Sequence, residues 1–411
     1  MGRSLSRGWM TCASARFMVF WMSCVSFGCG GAEEPGTFSV ADSAGIRIVI
    51  NVGPQWGPGE GWRVNPEPSV DIGAEEGDPD GHLYQVRDAV RWQERIVVIN
   101  GVTDDLRVFD LEGSYQRTIG RQGGGPGEFD RLSFLRILNQ DSLITWDFSN
   151  DRVSVFDAAG QFVRSTWLER NDAFGAFLSP TALLADRRLL TVSHRHMAEL
   201  GNESGRFVDS SIVALHEMTG SLDTILGLQP SGERMRMILG DRTITLGAPF
   251  ARELQIISWL DGYCLGFGTT FELHCQQGFD GASTTLIRLQ DALQPVTQAD
   301  VDAYVEEQLA VRSEAYGRAF RRMRDHLVFR DSFPAFRDVK ADPLGNLWVA
   351  AYERPGIHNV GWIVIDSDGR WLGTVDLPGG FELFRVYEDA LLGVWKDSLD
   401  VEHVRLHALI K

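Results

Sequence analysis

The sequence predicts an all-β fold: a six-bladed β-propeller of four-stranded blades, closed by an N-terminal strand and carrying one helical insertion before the fifth blade. Three observations predict it. The chain repeats at a period of 47 residues, each repeat alternates apolar residues around an Asp-x-x-Gly turn, and a glycine-rich crossing, "IGRQGGGPGEF" (119–129), recurs at the same period. Units of four short strands every 40 to 50 residues are the signature of a propeller.

The repeat is legible residue by residue. "VVINGVTDDLRVFDLEGSY" (97–115) lies over "ITWDFSNDRVSVFDAAGQF" (144–162) without a gap, so that Phe109, Asp110 and Gly113 fall on Phe156, Asp157 and Gly160. "WIVIDSDGRW" (362–371) repeats the relation with Asp366 and Gly369, and "ALHEMTGSL" (214–222) repeats it more weakly with Glu217 and Gly220. Period-two alternation and a turn glycine that accepts positive φ specify hairpins of strands rather than helices. Upstream of the hairpins lie six further turn-and-strand segments, "QERIVV", "QDSLIT", "ADRRLLT", "LDGYCLG", "PLGNLWV" and "EDALLGV". Blades are therefore expected at about 84–120, 128–168, 176–227, 248–290, 334–377 and 381–410. The sixth stops one strand short, and "EPSVDIG" (67–73), equivalent by repeat to "QRTIG", is the piece expected to complete it and so remove the exposed sheet edges.

The crowded glycines raise the question of a phosphate-binding loop. The 47-residue shift carries Ile119, Gly120, Gly124 and Pro126 onto Ile72, Gly73, Gly77 and Pro79, and neither copy has the Lys-Ser/Thr pair that a nucleotide loop requires. A phosphate loop would not be duplicated at the repeat period, so these glycines are expected to shape the crossing between blades. The stretch "IGRQGGGPGEF" resembles the signature of NHL-repeat propellers, and the arrangement from about Gly45 to Lys411 resembles the six-bladed, TolB-like propellers found as bacterial lipoproteins. The resemblance implies the fold and is nearly silent on function; related six-bladed families include metal-dependent lactonases and lyases whose ligands are scattered across blades.

The N-terminus reads as an export signal. Arg3, Arg7 and Arg16 precede the apolar run Phe17–Phe27 and the small residues "GCGG"; eleven apolar-leaning residues are too few to span a bilayer. "SFGC" resembles a lipobox: Gly28 and Cys29 fit, whereas Ser26 and Phe27 depart from the pattern. The expected division is a signal peptide over 1–28, a tether over 29–44 beginning at a lipidated Cys29, and the propeller over 45–411 with its helical insertion at 295–330. This places the protein in the bacterial cell envelope, as an outer-membrane lipoprotein, or as a secreted or periplasmic protein if no lipid is added. The formal charge is −17, and the leader removes three arginines and no acid, so the body is more acidic still and repels nucleic acid. The expected partner is a small molecule or an envelope protein, with membrane contact through the lipid alone and a monomeric body. Export permits a disulfide between Cys264 and Cys275, which flank a hairpin turn; two buried free thiols are the alternative.

The repeat is broken three times, at 193–211, 228–250 and 291–332, always in connections that leave a blade on one face. The last break holds the one strong helical pattern, from Thr297 to about Leu327. Thr297 and Asp300 approximate a capping box; Val301, Tyr304, Val305, Leu309, Tyr316, Phe320, Met323 and Leu327 form an apolar stripe. Arg318, Arg321, Arg322 and Arg324 near its end suit the helix dipole and, alternatively, an anionic ligand. Insertions gathered on one face mark the expected binding face. Candidates there are His194 and His196, which alternate on a strand end without a third metal ligand in view, Asn100 and Asp147, which are repeat-equivalent, and Arg354 with His358 in the matching loop of blade five. Arg87 with Asp88 and Arg337 with Asp338, in innermost strands, are expected to form structural ion pairs. No nucleophile elbow, HExxH helix, CxxC or dinucleotide fingerprint is present. No catalytic residue or cofactor is assigned, a divalent metal in the channel being left open. Two functions remain: a binding or protein-interaction module, and a metal-dependent hydrolase, lactonase or lyase working at the channel mouth.

Overall fold

The computed structural model describes residues 36–73, 81–170, 174, 177–194, 204–239, 242–278, 283–290, 293–310, 314–357 and 361–411. Six sheets make up the body from Thr37 to Lys411. Blades one and two are four-stranded meanders running from Asp88–Trp92 to Tyr115–Ile119 and from Leu132–Asn139 to Phe162–Trp167. Blade five runs likewise from Asp338–Ala341 to Trp371–Asp376. In blade six, three strands between Glu382 and Ile410 are joined by the N-terminal strand Arg63–Ile72, which pairs antiparallel with Glu402–Ile410. The ring closes as the sequence predicts.

The residues between the expected tether and that strand do more than link. Phe38–Ser43 and Ile46–Asn51 form a hairpin, and the second strand adds in parallel to Ser283–Leu289 at the outer edge of blade four. The expected tether boundary at 44 thus falls inside a folded hairpin. Buried Asn51 joins this edge to blade five: its Nδ2 donates to the carbonyl of Gly369 and its Oδ1 accepts from the backbone of Trp371. The chain then follows the outer strand of blade five, where the amides of Gln55 and Trp56 donate to the carbonyls of Trp371 and Leu372.

Blades pack face to face through apolar side chains. Between blades one and two, Trp92, Val97, Ile99 and Leu106 meet Phe129, Leu132, Leu143 and Phe156. Between blades four and five the cluster includes Cys264 and Cys275, which sit opposite each other on paired strands with Cα atoms 4.0 Å apart and form the expected disulfide. The glycine-rich crossing is structural. Buried Arg152 donates to the carbonyls of Gly124, Gly125 and Glu128, and Asn150 donates to that of Gly123. Gly120 and Gly127 adopt positive φ, and a Cβ on Gly120 would lie 2.3 Å from the Phe129 ring. The amides of Gly123, Glu128 and Phe129 donate to the carbonyls of Phe129, Gly125 and Arg121, and that of Gly125 to the Glu128 carboxylate, so these amides are spent within the loop rather than offered to a phosphate.

Blade three departs from the sequence reading. Residues 228–250, expected as a loop, continue the fourth strand as Leu222–Leu239 and add a fifth, Arg242–Gly247. The alternation of "ERMRM" explains it: Met235 and Met237 are buried, whereas Arg234 and Arg236 fall on the opposite side of the strand. The expected single helix is two, α1 (Gln298–Ala310) and α2 (Glu314–Met323), followed by a 3-10 turn at Arg324–His326. Its predicted capping is present: the Asp300 carboxylate accepts from the backbone and hydroxyl of Thr297. Tyr304, Val305, Leu309, Phe320, Met323 and Leu327 pack on Met235, Met237, Ile244 and Leu246. The helices therefore cover the strand extension of blade three rather than the face of a regular blade.

Candidate functional site

Innermost strands of a propeller present their edges to a central lumen, so their side chains lean toward the neighbouring blades. A charge placed there must find its partner across a blade boundary. Asp88, at the start of blade one, accepts on Oδ2 from both Arg136 of blade two (2.8 Å) and Arg385 of blade six (2.7 Å). Its Oδ1 accepts from the amide of Ala89. Arg136 also donates to the carbonyls of Leu135 and Thr181 and lies over the Phe134 ring, 4.3 Å from its centre. Burial, and the facing charge of Arg385, lower the Arg136 guanidinium to about 10 against the Asp88 carboxylate. On blade five Lys340 pairs with Asp338 at 2.8 Å.

Arg87, Asp88 and Asp338 form structural ion pairs, each with a residue other than its neighbour in the chain. Adjacent strand residues point to opposite sides. Arg87 turns away from the lumen to Asp104 (2.9 Å) and to the carbonyls of Leu132 and Gly101, and Arg337 is exposed.

These groups border a cavity of ≈ 670 Å³. Arg136, Thr181, Gln255, Asp338, Lys340 and Arg385 line it, bringing in five of the six innermost strands. It extends from Gln255 and Asp338, at strand starts, to Leu260 and Pro343, in the tight turns at strand ends. Because successive strands run antiparallel, those turns lie on the face opposite the insertions. The cavity thus reaches the face that the sequence reading set aside.

The residues singled out in the sequence are placed as follows. Asn100 is buried: its Oδ1 accepts from the amide of Tyr84 and its Nδ2 donates to Thr103. Asp147, its repeat-equivalent, does the same work one blade on, accepting from the amide of Asp130 and from Asn150. Burial pushes the Asp147 carboxyl above its ordinary value, against these hydrogen bonds. Both side chains fix the chain's entry into the innermost strand of their own blade. Arg354 donates to Asp300 through Nε (3.1 Å) and Nη2 (2.7 Å) and lies over Phe333; it docks the start of α1 onto blade five. That bond, with the Thr297 cap, holds the Asp300 carboxyl at about 2. His194 ends a strand of blade three, while His196, His358 and Cys29 lie outside the described residues. Among the described residues, no hydrogen bond or ion pair joins Asn100, Asp147 and Arg354 to one another.

A second charged cluster locks the insertion. Glu233, fully buried on the extended strand of blade three, accepts from Arg206 (2.5 Å), Arg330 (2.5 Å), Arg252 (3.3 Å) and the Arg252 amide. Burial pushes its carboxyl upward, but the arginines outweigh that and hold it below its ordinary value. Arg206 also donates to the carbonyls of Pro249, Phe250 and Val328.

A family model described as a 6-bladed beta-propeller matches residues 80–176. Among solved structures, a member of the DUF4221 family from Bacteroides vulgatus is 11% identical over 85% of this chain and 98% of that chain, with a TM-score of 0.51. An exported-protein candidate from Bacteroides fragilis is 11% identical over 85% and 95%, with a TM-score of 0.47. Virginiamycin B lyase from Staphylococcus aureus is 9% identical over 82% of each chain, with a TM-score of 0.38. No curated protein matches the chain. At such identities the first structure shows fold alone, and the other two carry no argument. With the sheet order and the closing N-terminal strand, the matches make this chain a six-bladed β-propeller.

Proposed function

We propose that the chain is a monomeric binding module of the bacterial cell envelope, anchored through Cys29, whose lumen receives a small molecule. The lumen supports this reading: a cavity of ≈ 670 Å³ has the size of a small-molecule site and is walled by charged and polar side chains from five blades. The leader, with its Gly28–Cys29 junction, supports the location, and the glycine-rich crossing supports the finer kinship with NHL-repeat and TolB-like lipoproteins. The second reading, a metal-dependent hydrolase, lactonase or lyase, gains no observation of its own. Among the described residues no three His, Cys, Asp or Glu side chains converge to hold a metal.

Native mass spectrometry of the protein purified from its own envelope tests the binding reading. The expected result is a small co-purifying mass that is lost from Ser258→Trp, which fills the lumen from blade four, in a variant that still melts cooperatively. A bound mass indifferent to that substitution defeats the lumen assignment. Intact mass tests the anchor: an N-terminus unmodified by lipid defeats it.

A further inference from the structure

Resting on the lumen reading, the geometry points to the chemical class of the ligand: a small molecule bearing a carboxylate or phosphate group, gripped by Arg136 and Arg385. Two guanidiniums from different blades converge on one carboxylate oxygen, Asp88 Oδ2, at 2.8 and 2.7 Å. Two guanidiniums on one carboxylate leave this triad with one positive charge beyond neutrality and, unlike the three arginines around Glu233, both of these line the cavity. Lys340 is answered by Asp338. Asp342 keeps its charge, so the charged lining taken with Asp88 is formally neutral, but its oxygens accept from the amides of Leu344 and Asn346 and from the Asn346 side chain inside its own turn, and the positive excess is local to the triad.

Both arginine side chains are partly open, 27% and 22% exposed, and both line the cavity. A guanidinium has five N–H donors in a planar fork, and the bonds to Asp88 and to nearby carbonyls leave some on each free for a ligand. An oxyanion arriving between the two forks would neutralise the triad in a partly desolvated lumen, where such bonds are stronger than in water. The rest of the chain is acidic, so this preference is local and opposed to the field of the whole body.

Isothermal titration of the full exported chain with citrate, succinate and glucose 6-phosphate tests this, with glucose as the neutral control and ionic strength held constant with potassium chloride. At least one of the anions should bind saturably and glucose should not. Arg385→Gln leaves Asp88 and Arg136 as a neutral pair, so it should fold and weaken anion binding roughly tenfold to a hundredfold, the worth of one charge-assisted hydrogen bond. Asp88→Asn adds positive charge and should tighten binding; if it does not fold, Arg385→Gln decides alone. No saturable binding by any of the three anions, or affinity unchanged in Arg385→Gln, overturns the inference. Binding that survives Arg385→Gln but is lost in Ser258→Trp overturns the anion assignment and leaves the lumen reading intact. Binding that survives both overturns the lumen reading.

Discussion

Replacing Glu233 with Gln keeps the shape of the side chain and removes the carboxylate that three guanidiniums share. Arg206 and Arg252 are 7% and 8% exposed, so neither can turn to water; Arg330, at 37%, can. Breaking a buried pair by removing one partner costs about 3 to 5 kcal/mol, because the remaining charge stays buried. Here two such charges remain, partly relieved in the case of Arg206 by three backbone carbonyls, which keeps the expected loss within that range. The loss should fall on the helices first, since Arg330 follows them and Glu233 lies on the strand extension beneath. Urea unfolding with limited proteolysis measures both effects: a midpoint lowered by that energy, and early cleavage between 295 and 330. A loss under about 1 kcal/mol would show that the carbonyls, not the carboxylate, hold these arginines, and the account of the cluster would be wrong.

Buried His216 bonds Thr191 and the carbonyl of Glu169, and buried His407 bonds the carbonyl of Asn65; burial lowers both imidazoles below their ordinary value. Protons then bind the unfolded chain more tightly, so stability should be full above the unfolded value of about 6.5 and fall as pH drops below it. Thermal melts at pH 7.5, 6.5 and 5.5 check the sign, and His216→Gln should flatten the slope. Cys264→Ser with Cys275→Ser should cost about 2 to 3 kcal/mol on the chain-entropy estimate for so short a loop, read as a denaturation midpoint with and without reductant. Truncation through Gly73 removes the strand that closes blade six together with buried Val70 and Ile72, each worth about 1.5 to 3 kcal/mol, and should abolish cooperative melting.

The ring was legible in the sequence because its signal repeats: Ile96, Leu143 and Leu190 each begin the same buried strand, and all three are fully buried. The glycine crossing was legible for the same reason. Residues 228–247 were not, because a strand extension unique to blade three has no second copy to align, although the alternation around Met235 and Met237 announced it. The Asp88, Arg136 and Arg385 triad joins residues up to 297 positions apart, and only blade geometry makes them neighbours. A usable signal existed in "FLRIL", "DVKA" and "LFRVY": a charge inside an innermost strand that has no sheet partner to answer it. Asn100 and Asp147 are ambiguous in the sequence because turn chemistry and ligand chemistry use the same side chains.

Residues 37–72 are wrapped around the outside of blades four, five and six, and this gives the order of synthesis a particular weight. The segment leaves the ribosome long before its partners, Ser283–Leu289, Trp371–Leu372 and Glu402–Ile410. Each of those contacts closes a loop of hundreds of residues, the most distant kind of pairing for a chain to make. The early segment must wait, unpaired, until nearly the whole polypeptide has emerged. Blades one and two can assemble as it waits, but the ring cannot close before the last strand is made. A chain built this way stays open, and therefore threadable, until Glu402–Ile410 arrives to pair with Arg63–Ile72.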